Sequence, residues 1–223
     1  MKKKNIIHFI FLIFLVVGTI YVIRNHQTNK LQHSEGNIFG TVFSIEYEYK
    51  TALDSAILEK LNEVDSSLSM FNKQSIVSKI NSGESDSTDL MFRNVFRLAQ
   101  NVAEDTDGAY DITVAPLVNA WGFGFKNGED VSAQKIDSIK TFVGYDKVHL
   151  VNHCLQKDDE RITLDASAIA KGYACDIVAN TLREKGCENL LVDIGGEVVL
   201  QGVNDKGQAW KVGISKPNNN GEG

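Results

Sequence analysis

Four short stretches carry more polar residues or glycines than their surroundings call for. In Leu164 to Leu182 (LDASAIAKGYACDIVANTL), a strand-like run ends on Asp165, passes through small residues and opens a helix bearing Lys171 beside Gly172. A helix start presents free N–H groups and a partial positive charge, so Asp165 and this N-terminus suit an anion and a metal ion, with Lys171 placed to meet a phosphate. The plainer reading makes Asp165 a cap and puts Lys171 on the solvated face. In Leu68 to Asn81 (LSMFNKQSIVSKIN), Phe71, Asn72 and Lys73 follow a helical pattern and two serines precede Lys79. Here the plain reading is a capped turn, with Ser75 or Asn72 as the cap and Phe71 packed inward.

The third stretch, Asp107 to Gly128, sets Gly122, Gly124 and Gly128 among Trp121, Phe123 and Phe125. Its glycines do not fit the dinucleotide-binding spacing and open no helix after a strand. Glycine among aromatic residues can frame a flat ring by letting backbone approach a ligand, or the aromatics can form a buried cluster under a loop. The fourth, Val192 to Gly202, breaks two strands at Gly195-Gly196, as a bulge or sharp bend does, and holds Asp193 and Glu197 in reserve. The zinc-protease, P-loop and nucleophile-elbow motifs are all absent, and three of the five histidines precede residue 34. A histidine-based triad or zinc site is therefore not expected.

The elements that must position these stretches read as a mixture. Gly40 to Tyr49 alternates as a strand, and Leu53, Ile57, Leu61, Val64 and Leu68 fall at helical spacing. After a polar loop, Thr88 or Asp89 caps a helix with Phe92, Val95, Ala99 and Val102 on one face, and Gly108 follows as terminator. Ser132 caps a shorter helix. The runs KVHLV and ITLD read as strands around a polar turn, a helix runs from about Ile169 to near Gly186, and AWKVGIS reads as a last short strand. Strands and helices do not alternate strictly, so the expected class is α+β, a mixed and largely antiparallel sheet packed with helices.

Residues 1–24 form a separate piece: three lysines, then an apolar run from Ile6 to Ile23 long enough to cross a bilayer. Lysines ahead of that run favour a cytoplasmic N-terminus and an exported remainder, anchored at the inner membrane with its domain on the extracytoplasmic side. A cleaved signal peptide is the rival, but no small-x-small site follows the run. Residues 25–37 read as a polar tether and 38–223 as the domain. The chain's net charge is −6, and its first 24 residues hold four basic groups and no acidic one, so the remainder is more acidic still. Such a balance repels nucleic acid and tolerates divalent cations. Cys154, Cys175 and Cys187 show no metal-ligand spacing and read as small buried residues, with one disulfide possible among them.

Taken in order, GTVFSI, LSMFNKQSIVSKIN, GAYDITVAPLVNAWGFG, ITLDASAIAKGYACDIVANTL, NLLVDIGGEVVLQG and WKVGISKP resemble the FAD:protein FMN transferase family, the ApbE-like proteins, over almost everything from Gly36 to Pro217. The resemblance implies a Mg²⁺-dependent reaction that splits the pyrophosphate of FAD, passes FMN to a Ser or Thr hydroxyl of a target flavoprotein and releases AMP. It places FAD contacts on Phe39, where methionine is common, on Phe71, often tyrosine, and on Ala109, Tyr110, Asp111, Asp165 and Lys171. Asp165 is the catalytic candidate. A metal contact falls on Ala168, through its carbonyl. Members of that family usually continue with a His-x-x-Asp-Pro segment and a later Asp/Thr pair that completes the Mg²⁺ site, and neither stands in this sequence. The expected architecture is thus an ApbE-like fold without its C-terminal part. Two other readings stay open: an inactive FAD-binding or assembly module, and a metal-dependent FAD hydrolase in which water replaces the acceptor hydroxyl.

Overall fold

Alternation of side chains builds the sheet. In β2 (Thr41–Tyr49), Phe43, Ile45 and Tyr47 point to one face and are buried, while Val42 points away and is exposed. The neighbouring β5 (Leu190–Ile194) buries Leu190, Val192 and Ile194 on the same side. With β1 (Lys30–Ile38) and β6 (Glu197–Gln201) at the edges, the four strands run in the order β1-β2-β5-β6, every pair antiparallel. The computed structural model describes residues 3–25, 29–123 and 132–213.

Helices cover the buried face. α2 (Asp54–Leu68) turns Ile57, Leu61, Val64 and Leu68 inward and packs against α7 (Ser167–Glu184), which lies on β5 and β6. The inner face of α7 is made of Ala170, Ala174, Cys175, Val178, Ala179 and Leu182. Its alanines let that helix sit close to its neighbours and become the centre of the core. α3 (Ile76–Ser82) is capped by Ser75, whose hydroxyl accepts from the Ser78 N–H at 3.1 Å. α4 (Leu90–Asp105) is capped by Asp89, which accepts from the Phe92 N–H at 2.7 Å and from the Ser67 hydroxyl at 2.8 Å, joining the helix to α2.

The remaining elements are α1 (Lys3–Asn25), α5 (Ala115–Ala120), α6 (Ala133–Lys140, capped by Ser132) and a hairpin of β3 (Val148–Val151) and β4 (Cys154–Lys157). The architecture is α+β, as expected. Among the described residues no helix is long and apolar enough to cross a membrane. The three cysteines are unpaired, with Cys175 and Cys187 buried.

Several elements differ from the sequence reading. Residues 30–37, expected to belong to a polar tether, are paired along their whole length with β2. Among them only Ser34 is buried, so this edge strand is held by backbone hydrogen bonds and leaves no apolar alternation to read. Cys154–Lys157 takes the place of ITLD in the hairpin; Ile162 and Leu164 are fully buried in a segment outside any ladder. Of AWKVGIS, Ala209 makes a single bridge to Val203, and Ile214 and Ser215 lie outside the described residues. The aromatic cluster is not a buried one: Trp121 and Phe123 are exposed, and Gly124, Phe125 and Gly128 lie outside the described residues.

Candidate functional site

Two tight turns stand side by side at one end of the sheet. The first joins β1 to β2 through Phe39 and Gly40, both with positive φ (54° and 73°). The second joins β5 to β6 through Gly195 and Gly196 (59° and 90°). Two-residue turns of this hand match the twist of antiparallel strands, and glycine is their usual occupant. A phenylalanine in the left-handed region is an outlier that the surroundings must hold in place. Antiparallel pairing of Phe43 with Ile194 brings the turns together, and the Gly195 N–H donates to the Val42 carbonyl at 2.9 Å. A side chain at Gly195 would meet Thr41 Cγ2 at 2.7 Å, so that turn must be bare.

The first turns of α7 and the α2–α3 link approach this end of the sheet and enclose a cavity of about 270 Å³. Phe39, Thr41, Met70, Phe71, Ser167 and Lys171 are among its walls. The ring of Phe71 lies over Gly40, 3.3 Å from where a Cβ would stand, and is 61% exposed instead of packed inward. Lys171 is half-buried; its ammonium donates to the Gly195 carbonyl at 3.2 Å and pairs with Glu197 at 3.3 Å. The volume is slightly below the range of about 300–1,000 Å³ common for ligand pockets, enough for one flat ring system with the remainder of a dinucleotide outside. A larger cavity, about 670 Å³, lies under the Asn81–Asp86 loop. Its lysine, Lys157, is spent on the carbonyls of Ile80, Glu160 and Ile162, and Glu84, Asp86 and Glu160 surround it. Aromatic walls, and an ammonium held by one backbone carbonyl and a surface carboxylate where Lys157 is held by three carbonyls, favour the smaller one.

Asp165 adjoins the cavity through Ser167. It lies one residue before the helix cap position, which Ala166 occupies, and its Oδ1 accepts from the Ser167 N–H at 2.8 Å. The preceding segment is gripped by Asn81, whose side-chain amide donates to the Leu164 carbonyl (2.8 Å) and accepts from the Leu164 N–H (2.7 Å). The other family-implied residues form a second group. The Asp165 N–H donates to the Ile112 carbonyl at 2.7 Å, which ties this turn to the loop of Ala109, Tyr110 and Asp111. Ala109 is exposed. Asp111 accepts from the Thr113 N–H and hydroxyl, each at 2.7 Å, and from the Tyr145 N–H at 2.9 Å. The Thr113 hydroxyl in turn accepts from the Gly144 N–H at 2.8 Å. Burial, with the charges of Asp165 and Asp111 added, pushes the Tyr110 phenol up to about 12.

The structure thus brings Phe39, Phe71 and Lys171 onto one cavity, sets Asp165 at its edge, and gives the Asp111 carboxylate to the loop itself. Sequence reasoning passed over Asn81 and Thr113. Asn81 meets its partner 83 positions away, and Thr113 sits in a run that reads as apolar filling.

The ApbE family model matches residues 39–222. The chain belongs to the ApbE family. A FAD:protein FMN transferase of Vibrio cholerae is 34% identical over 196 residues, 83% of this chain and 59% of that relative's length. One from Escherichia coli K12 is 32% identical over 82% of this chain and 56% of its own. The chain therefore spans less than two thirds of the curated relatives it matches. Among solved structures, the flavin transferase ApbE of Vibrio cholerae superposes with a TM-score of 0.78 at 33% identity, covering 85% of this chain and 65% of the other. The apo Pseudomonas stutzeri flavinyl transferase ApbE gives 0.76 at 29% identity, covering 84% and 66%.

For a resident Mg²⁺, the ApbE turn offers the second oxygen of Asp165 and the carbonyl of Ala168, which is exposed in the first turn of α7. Mg²⁺ demands an octahedral shell of oxygens. Among the described residues no group of three or more His, Cys, Asp or Glu is placed to hold a metal, so these residues alone do not fit the ion.

Proposed function

We propose that this chain carries the flavin-nucleotide site of a FAD:protein FMN transferase, moving FMN from FAD to a Ser or Thr hydroxyl of a target flavoprotein and releasing AMP. The observation that carries the reading is the convergence of Phe39, Phe71 and Lys171 on one cavity beside the Asp165 turn. The names of the Vibrio cholerae and Escherichia coli relatives support it.

In this reading the isoalloxazine ring lies against Phe71, which is already exposed for stacking. The Lys171 ammonium offsets the charge of the phosphates, a role open to it because its pair with the half-exposed Glu197 is weak. Asp165 is the catalytic residue of the proposal, holding its carboxylate at the cavity edge towards the reacting phosphate group. The acceptor hydroxyl forms the new P–O bond as the pyrophosphate P–O bond breaks, its proton leaves, and AMP carries off the electron pair. Mg²⁺ dependence belongs to the proposal: the ion would neutralise charge on the phosphate oxygens, drawing on Asp165 and Ala168 together with donors other than these.

The test is the intact mass of an acceptor flavoprotein domain after incubation with the chain, FAD and Mg²⁺, read together with AMP release. A mass gain of one esterified FMN is the expected result. AMP release with an unlabelled acceptor would replace transfer by hydrolysis, and bound FAD with neither product would leave a binding module.

We also propose that residues 1–24 hold the domain at the extracytoplasmic side of the inner membrane. The apolar run from Ile6 to Ile23 and the exposed Phe9, Phe11 and Phe14 on α1 support this, against the finding that no described helix is long and apolar enough to cross a membrane. Recovery of the full-length chain in the soluble fraction of its host would sink it.

A further inference from the structure

Among the described residues, the Tyr110 hydroxyl is the buried side-chain polar atom left without a hydrogen-bond partner. Leaving a buried hydroxyl unpaired is costly, so it points to something the fold gains elsewhere. Two carboxylates bear on it, Asp111 and Asp165. Both oxygens of Asp111 already accept hydrogen bonds, from Thr113 and from the Tyr145 N–H. Asp165 accepts through Oδ1 alone, from the Ser167 N–H, and its backbone N–H is fastened to Ile112, two residues beyond Tyr110. Of the two, Asp165 is therefore the carboxylate with an oxygen that accepts no hydrogen bond among the described residues.

We infer that Tyr110 is a positioning residue for Asp165: its hydroxyl donates to the second carboxylate oxygen when a flavin nucleotide is bound, fixing that carboxylate against the ligand. In the ligand-free chain the donor is held in reserve at a cost to stability. The phenol stays protonated, and so able to donate, throughout the neutral range, because burial raises it. The inference rests on the flavin-nucleotide reading of the site.

The experiment uses the full-length chain in mild detergent and two readouts, the Tm without ligand and the Kd for FAD, on wild type, Tyr110→Phe, Asp165→Ala and the double variant. Tyr110→Phe should melt no lower than wild type, because an unpaired hydroxyl is removed, yet bind FAD about fivefold more weakly, the worth of one hydrogen bond. In the Asp165→Ala background the same change should cost no further affinity. Unchanged FAD binding by Tyr110→Phe, or losses that multiply in the double variant, would overturn the inference. A lower Tm for ligand-free Tyr110→Phe would also overturn it, by showing that the hydroxyl is already bonded. If wild type itself binds no FAD, the flavin-nucleotide reading falls, and this inference with it.

Discussion

The two parts of the site are built on opposite plans. The cavity wall of Phe39, Phe71 and Lys171 is open: one ring is mostly exposed, and the ammonium has a surface carboxylate as partner. The loop of Tyr110 and Asp111 is closed on itself, its carboxylate accepting three hydrogen bonds and its threonine hydroxyl accepting a fourth from the Gly144 N–H. A side chain held in a closed hydrogen-bond network contributes to folding, whereas one exposed on a cavity wall is placed to meet a ligand. The prediction is therefore a division of labour: changes to groups hydrogen-bonded inside the loop are read as stability, and changes in the wall, or at the unpaired Tyr110 hydroxyl, are read as affinity.

The largest effect is expected from Asp111→Ala. It removes a carboxylate that accepts three hydrogen bonds and strands the fully buried Thr113 and the Tyr145 N–H. Losses of this kind cost about 2–4 kcal/mol, or a fall in Tm of roughly 5–15 °C for a chain of this size. A variant that melts like wild type but no longer binds FAD would break the comparison, by making Asp111 a ligand contact.

Lys171→Met is the counterpart in the wall. Its pair with Glu197 is about half-exposed, so stability should change by less than about 1 kcal/mol. Affinity for FAD should fall about tenfold or more through loss of a charge-assisted contact to phosphate, and the loss should shrink as salt is raised. Equal affinity for FAD in the two proteins by titration calorimetry would remove Lys171 from the site. A smaller effect follows for Phe71→Ala: affinity lower by about 0.5–1.5 kcal/mol from lost stacking, with Tm nearly unchanged because the ring is exposed. A drop in Tm of many degrees would show instead that the ring serves the Gly40 turn.

The same division explains what the sequence disclosed. The sheet and the long helices were legible because their burial is periodic: Phe43, Ile45 and Tyr47 on β2, and Ile57, Leu61, Val64 and Leu68 on α2. Strand β1 was not, because an edge strand with one buried side chain is specified by its neighbour's backbone. In the site, the glycine turn and Lys171 stood out locally. Asn81, whose partner is Leu164, and Asp111, whose partners include Tyr145, act across intervals that no local pattern records. The resemblance placed Asp111 among cofactor contacts; that its carboxylate also accepts three hydrogen bonds within the protein is something spacing alone cannot reveal.

The smallest expected effect tests the closed side from its flank. Arg161 lies over the Phe142 ring at 4.3 Å, just ahead of the Gly144–Tyr145 turn that Asp111 and Thr113 hold, and forks onto Asp159 at 2.9 and 2.6 Å. Side-chain and then backbone hydrogen bonds from Arg161 bring the Asp159 carboxyl down to about 2 from its ordinary 3.8. A depressed carboxyl contributes stability that is present above its unfolded value and lost as pH falls through the folded one, so the window lies between about pH 4 and pH 2. Asp159→Asn should therefore melt slightly below wild type at pH 5–7, and the two curves should meet near pH 2. Arg161 is exposed and Asp159 partly so, and added salt should narrow the gap at neutral pH. A gap that widens on acidification would have the wrong sign for a carboxylate held ionised by Arg161. If the gap behaves as expected while FAD affinity is the same in both proteins, the flank belongs with the loop, on the stability side of the site. A matching change in affinity would instead carry the influence of the flank through Tyr145 and Asp111 to Tyr110, and join the two parts beyond the Asp165–Ile112 backbone hydrogen bond that already links them.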